Sequence, residues 1–299
     1  MDWPGASELR RVQTGDGTEL AVYTLGNGPP LLLIPGLGTD HHAFVWNIAE
    51  FAQHFECLVL DQRGVGLSEA TSGPYTMDLL ADDAASTLRH LAPQGAFVLG
   101  VSMGGMVAQH LALRHPRLVR RLVLGCSGPG GRLAVRADPE VTRRLLGGGA
   151  TDPASAYRIA CSVLYEPHWR ETHPEVIDDA VEWRARHPVR PGVFQAHWQA
   201  IRHHEMGARL SEIQTPTLIL QGTADVVMLA ANAEALRTGI EASELVWLPG
   251  RGHMFFQEDP ERTLGLLRDR LLPANSGNGT PTALPQSVPD TIATRQGED

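Results

Sequence analysis

The chain contains no lysine: all 25 of its Lys-plus-Arg residues are arginine. Schiff-base catalysis, pyridoxal phosphate attachment and the phosphate-binding P-loop each require a lysine amine. Those three classes of chemistry are excluded at once. Cysteine is scarce as well, with Cys57, Cys126 and Cys161 the only three in 299 residues. They lack the spacing of a metal site and cannot all pair, which fits a reduced compartment and predicts a cytoplasmic protein. No run approaches the roughly 20 apolar residues of a membrane span. The longest, such as Pro30 to Pro35, have the length of buried strands. Positive charge is not in excess either: the formal net charge is −9 at pH 7, which argues against a nucleic-acid surface. The opening Met1-Asp2-Trp3-Pro4 has neither the basic start nor the apolar core of a secretory signal. The expected partner is a small-molecule substrate, with no membrane, no cofactor and no metal, the choice between monomer and homodimer staying open.

What is present is an ordinary globular composition, 42% hydrophobic and 20% charged, arranged in a regular alternation. Short apolar runs recur at Leu31 to Ile34, Cys57 to Leu60, Phe97 to Leu99, Leu122 to Leu124, Thr217 to Leu220 and Leu245 to Leu248. Such continuous runs suit strands covered on both faces, as in a parallel sheet. Val12 to Thr14 and Leu20 to Tyr23 flank Gly15-Asp16-Gly17-Thr18, a hairpin signal. Between the runs lie segments of helical period at Ala43 to Phe51, Met77 to Leu91, Met103 to Arg114, Leu229 to Leu236 and Pro260 to Leu272. The alternation predicts a mostly parallel α/β sheet of eight strands with helices on both faces.

One interval breaks the rhythm. Residues 128–213 hold no strand-like run, but show helical spacing around Val141 to Leu146, Ala154 to Leu164, Val176 to Arg186 and Phe194 to His203. This predicts a helical cap inserted into a core made of residues 1–127 and 214–272, with Gly147, Gly148 and Gly149 as a flexible joint. Residues 273–299 are rich in Pro, Ser, Thr, Asn and Gly and are expected to form a disordered tail.

The chemistry-bearing residues fall at the ends of the apolar runs. Gly100-Val101-Ser102-Met103-Gly104 is a G-x-S-x-G sequence placed directly after Phe97-Val98-Leu99 and directly before a helical segment. A serine on so sharp a strand-to-helix turn is exposed as a nucleophile, and side chains at the flanking positions collide. Its hydroxyl needs a base, usually a histidine. Of thirteen histidines, His253 alone stands in a short loop, Gly250-Arg251-Gly252-His253, just after the last strand-like run. That location brings it to the carboxyl edge of the sheet, where parallel sheets build their sites. His115 and His187 precede prolines and read as helix exits. The pairs His41-His42 and His203-His204 have no carboxylate or cysteine at ligand spacing. Asp225, in Gln221-Gly222-Thr223-Ala224-Asp225, follows another strand and is the candidate acid that orients the imidazole. The loop one strand earlier, Gly125-Cys126-Ser127-Gly128, offers no carboxylate. The tetrahedral intermediate requires two preorganised N–H donors. Met103 supplies one, and Leu37, within Pro35-Gly36-Leu37-Gly38, is the candidate for the other.

These segments together resemble the α/β-hydrolase superfamily, in particular its serine-nucleophile esterase and 3-oxoadipate enol-lactonase-like branch. Pro35-Gly36-Leu37-Gly38 looks like the family's His-Gly-x-Gly loop, and Asp61-Gln62-Arg63-Gly64-Val65-Gly66-Leu67-Ser68 like its D-x-R-G-x-G-x-S turn. Ser102 to Gln109 resembles the esterase elbow, and the Asp225 loop and Gly-x-Gly-His253 complete a set spanning residues 12–272. The resemblance implies the chain order Ser, Asp, His and hydrolysis of a carboxylic ester or lactone through an acyl-enzyme. Thioester or C–C hydrolysis, perhydrolysis, elimination and a weakly catalytic ligand-binding role are the alternatives that fold and triad leave open. A serine at the elbow argues against the aspartate-nucleophile branches. Two departures stand out. Pro35 replaces the usual histidine, removing a side-chain support of the oxyanion loop, and Val226-Val227-Met228 lacks the proline that often follows the acid. Trp169, Trp183 and Trp198, with Tyr157, Tyr165 and Phe194, fall in the inserted segment and are expected, together with Gly36, to line an apolar substrate pocket.

Overall fold

The computed structural model describes residues 3–273, so the expected tail, from residue 274 onward, lies outside the described residues. Eight strands form one sheet: β1 (Glu8–Gln13), β2 (Glu19–Leu25), β3 (Pro30–Ile34), β4 (Glu56–Leu60), β5 (Ala96–Val101), β6 (Val119–Gly125), β7 (Thr217–Gly222) and β8 (Ser243–Leu248). Their order is β1-β2-β4-β3-β5-β6-β7-β8. β1 pairs antiparallel with β2, and β2 with β4, while every later neighbour is parallel. The hairpin closes where Thr14 N donates to Thr18 O, with Gly17 at φ +87°. The α-helices are α1 (Ile48–Phe51), α2 (Met77–Leu91), α3 (Met103–Arg114), α4 (Pro139–Leu145), α5 (Pro153–Leu164), α6 (Pro167–Thr172), α7 (Pro174–Arg186), α8 (Pro191–Arg202), α9 (Ala230–Gly239), α10 (Phe255–Glu258) and α11 (Pro260–Leu271). Residues 43–51, read as one helix, divide into a 3-10 turn over His41–Phe44 and the short α1.

The apolar runs are two-sided because a strand sends alternate side chains to opposite faces. Leu32, Ile34, Leu58, Leu60, Val98 and Leu122 join the core that α2, α3 and α9 cover. Their neighbours Leu31, Leu33, Val59, Leu99, Val123 and Leu220 join the opposite core, against α1, α10 and α11. Each fully buried Leu, Val, Ile or Phe side chain contributes about 1.5–3 kcal/mol, so burial on both faces holds the sheet between its helices. Among the described residues no helix is long and apolar enough to cross a membrane.

Five helices, α4 to α8, connect β6 to β7, with Gly147, Gly148 and Gly149 all at positive φ between α4 and α5. The chain leaves β3 towards β4 on one side and leaves β5 towards β6 on the other. This reversal between adjacent β3 and β5 is where an open parallel sheet forms a crevice at its carboxyl edge.

Candidate active site

Ser102 sits at that crevice. Its φ of +56° and ψ of −119° place a non-glycine residue in a region side chains rarely adopt. The turn exists because its flanks have no Cβ. A Cβ on Gly100 would fall 2.2 Å from Gly104 O, and one on Gly104 would fall 2.0 Å from Ile34 O. The elbow is therefore locked between β3 and β5. Ser102 O accepts from Ser127 Oγ at 2.9 Å, which ties the turn to the loop after β6.

His253 follows β8 and is buried, with Nδ1 2.8 Å from Asp225 Oδ2. Holding Nδ1 against a carboxylate leaves Nε2 as the nitrogen available to a serine. Asp225 is itself fixed: its Oδ1 accepts from Val227 N at 2.8 Å and Met228 N at 2.9 Å. These two bonds hold the turn over Val226-Val227-Met228 in place without a proline. The His253 loop is held from below by Glu258, whose carboxylate accepts from Gly252 N at 2.7 Å and from Glu166 N of the inserted segment at 2.8 Å. Burial raises the Glu258 carboxyl above its ordinary value.

Gly36 lies against the serine, since a Cβ built on it would be 3.4 Å from Ser102 Cβ. Among the described residues neither Leu37 N–H nor Met103 N–H donates to a backbone carbonyl outside the helices and strands, as an oxyanion donor requires. The loop is braced by Gln62, whose Nε2 donates to Pro35 O at 2.8 Å. The neighbouring Arg63 is a buried strut. It donates to Asp83 through Nε and Nη2 at 2.8 and 2.6 Å, and to Asp16, Thr18 and Thr71 through Nη1. That geometry holds the carboxyl of Asp16 well below its usual range. Asp61 accepts from His41 N at 2.8 Å and Leu67 N at 2.9 Å. The Asp61–Ser68 turn thus carries structure.

Ser102, His253, Gly36 and Leu37 line one cavity of about 1030 Å³ beneath the inserted helices. Trp198, Phe194 and Tyr157 line it too. Trp169 and Trp183 do not, which corrects the expectation for them. Trp169 is a core residue, stacked between Tyr165 and His173 at centroid distances of 5.3 and 4.3 Å. Trp183 stacks on His42 at 4.1 Å and His187 at 3.8 Å and donates Nε1 to both oxygens of Asp40. Helical spacing alone does not say which of two buried faces an aromatic occupies. Tyr165, also expected at the pocket, donates its hydroxyl to Gln257 Oε1 at 2.6 Å in the core.

Cys126 is the neighbour that sequence reasoning missed. Its sulfur, a carboxylate oxygen of Asp225 and a ring nitrogen of His253 all lie within 4.8 Å of one another. Burial raises the Cys126 thiol well above its ordinary value.

Comparison with known proteins gives the class. The profile of the alpha/beta hydrolase fold matches residues 29–260, and the chain belongs to that family. Its particular relatives are similar at about a quarter identity. The chain is 26% identical to 3-oxoadipate enol-lactonase 2 of Acinetobacter baylyi, over 81% of this chain and 88% of that protein. Among solved structures it resembles a hydrolase from Pseudomonas aeruginosa, with a TM-score of 0.76 and 28% identity over 88% of this chain and 97% of that one. A thermophilic esterase from Thermogutta terrifontis gives a TM-score of 0.75 and 26% identity over 88% and 97%.

Proposed function

We propose that the protein is a serine hydrolase that cleaves carboxylic esters or lactones of hydrophobic substrates. The observation that carries this reading is the His253–Asp225 hydrogen bond at 2.8 Å, on the wall of a cavity that also exposes the strained Ser102. Similarity to an esterase and to an enol-lactonase supports the choice of carbonyl.

Ser102 Oγ attacks the carbonyl carbon while His253 Nε2 takes the hydroxyl proton, and Asp225 stabilises the imidazolium that forms. The oxyanion is received by the N–H groups of Leu37 and Met103. Collapse of the intermediate breaks the C–O bond, and the imidazolium returns its proton to the leaving alkoxide. Water, deprotonated by the same histidine, then adds to the acyl-enzyme and releases the acid. The mostly apolar wall favours a medium-sized hydrophobic acyl or alcohol group.

The test is turnover of a panel of p-nitrophenyl esters and lactones in ¹⁸O-water. Hydrolysis places one label in the product acid. Turnover without label in the acid assigns the triad to elimination or transfer, and no turnover on any ester or lactone removes the hydrolase reading.

A further inference from the structure

We infer that helix α7 positions the oxyanion loop, through Arg184 and Trp183, so that the hole is complete only while the inserted helices are docked. The inference rests on the hydrolase reading above, because it concerns the donor Leu37 N–H.

That N–H shares a peptide plane with Gly36 O, and the carbonyls on either side of it, Pro35 O and Gly38 O, fix the path of the loop through donors of their own. Pro35 O accepts from Gln62 Nε2 at 2.8 Å, and Gly36 O from Thr39 Oγ1 at 3.0 Å. Both of those donors belong to the core. Gly38 O accepts instead from Arg184 Nη1, which reaches down from α7. Gly38 adopts φ +61°, and a Cβ there would lie 2.8 Å from the Phe194 ring, so the loop is packed as well as bonded against the inserted segment. One residue earlier on the helix, Trp183 Nε1 donates to Asp40 Oδ1 and Oδ2 at 3.1 and 3.0 Å. Asp40 in turn accepts from His42 N at 3.1 Å and ends the loop. Two adjacent residues of α7 therefore hold Gly38 and Asp40, on the C-terminal side of Leu37.

Arg184 is a costly residue to use for packing alone. Among the described residues no carboxylate lies within ion-pair distance of it, and its Nε is buried without a hydrogen-bond partner. Its guanidinium carbon lies 5.0 Å from the centroid of the Tyr157 ring. The Tyr157 hydroxyl also interacts with Arg184, so this partly buried cation is compensated by neutral groups alone, a carbonyl, a phenol and a ring face. The planar fork, however, fixes a carbonyl in a way that an apolar residue cannot.

The test is the kinetics of p-nitrophenyl butyrate hydrolysis, with affinity for butylboronic acid, which forms a tetrahedral adduct on an active serine. The proteins are wild type, Arg184→Met, Arg184→Lys, Trp183→Phe and, as an exposed control on the same helix, Arg186→Met. Arg184→Met is expected to lower kcat about 10- to 100-fold, less than or equal to deleting an oxyanion donor, with KM within about 2-fold. Boronate affinity should fall in parallel, Arg184→Lys should recover part of both, and Trp183→Phe should show a smaller loss of the same kind. Where Arg184→Met does not fold, the lysine and phenylalanine variants carry the same test. Unchanged kcat in Arg184→Met overturns the inference. So does a rise in KM alone, which makes Arg184 a substrate contact, or an equal fall in Arg186→Met, which makes the effect general to the helix. A wild type that neither turns over the ester nor binds the boronate removes the hydrolase reading instead, and this inference with it.

Discussion

His253 Nδ1 and Asp225 Oδ2 stand 2.8 Å apart, and the other oxygen of Asp225 is occupied by two N–H groups of its own loop. One carboxylate therefore has two separable tasks, orienting the imidazole and folding the turn 225–228. Asp225→Asn keeps an oxygen for Val227 and Met228 but presents an amide to the ring, favouring the wrong tautomer. It should lower kcat about 10³- to 10⁴-fold with little change in melting temperature. Asp225→Ala should lose the same activity and also destabilise the fold, by about 1–3 kcal/mol for the buried N–H groups left unpaired. Parallel kinetics and urea titrations separate the two tasks. Equal stability of the two variants contradicts the assignment.

The elbow makes a second, graded prediction. Gly100→Ala and Gly104→Ala each drive a Cβ into backbone, and neither Gly104 O nor Ile34 O can move without opening the turn or the sheet. Both should cost more than about 4 kcal/mol, the range that marks severe overpacking. A Cβ on Gly105 meets the side chain of Ser127 at 2.6 Å, which can rotate, so Gly105→Ala should fold with a smaller loss. Chemical denaturation of the three variants checks the order.

Proton linkage gives a third. Burial pushes His197 and His204 each down to about 4 from an ordinary value of 6.5. His197 donates Nε2–H to Arg63 O at 3.1 Å, and His204 donates to Gly128 O at 3.1 Å while Nδ1 faces His110. Both are neutral in the folded protein at pH 6, whereas the unfolded chain binds protons there. Stability from these two groups is therefore complete above about pH 6.5 and falls progressively as pH drops towards 4. Melting temperature should decline between pH 6.5 and 4.5, and His204→Asn should flatten the decline. A melting temperature constant across that window contradicts the burial of neutral imidazoles.

The tryptophans sort by what they touch. Trp198→Ala enlarges the cavity and should shift kcat/KM among acyl-chain lengths by about 10-fold, the scale of one or two methylene groups in an apolar pocket. Trp169→Ala should leave that ranking unchanged and lower stability by about 3–5 kcal/mol, as for a truncated core aromatic. A kinetic profile across C2 to C12 esters distinguishes them.

Much of this arrangement was legible in the residues. The parallel strands announced themselves because strands covered on both faces need continuous apolar runs, as at Leu31 to Ile34. The sharp turn at Ser102 was legible because only glycine fits at 100 and 104. Other features left no local trace. Whether Trp183 faces the cavity or Asp40 depends on how α7 is docked, a tertiary fact that helical period does not encode. The same holds for Arg184 on Gly38, where donor and acceptor are separated by 146 residues. Cys126 looked like a small apolar residue because only the pairing of β6 with β7 brings it beside Asp225. The short α10 escaped because Phe255–Glu258 offers one turn and no period.

Ser102 as the working nucleophile is tested most directly by intact mass after treatment with a fluorophosphonate, which reports an activated serine without needing the natural substrate. Wild type should gain the mass of one phosphonyl group, and Ser102→Ala none. An adduct that persists in Ser102→Ala, or no adduct on a wild type that is folded, contradicts the assignment of Ser102, His253 and Asp225 as a working triad.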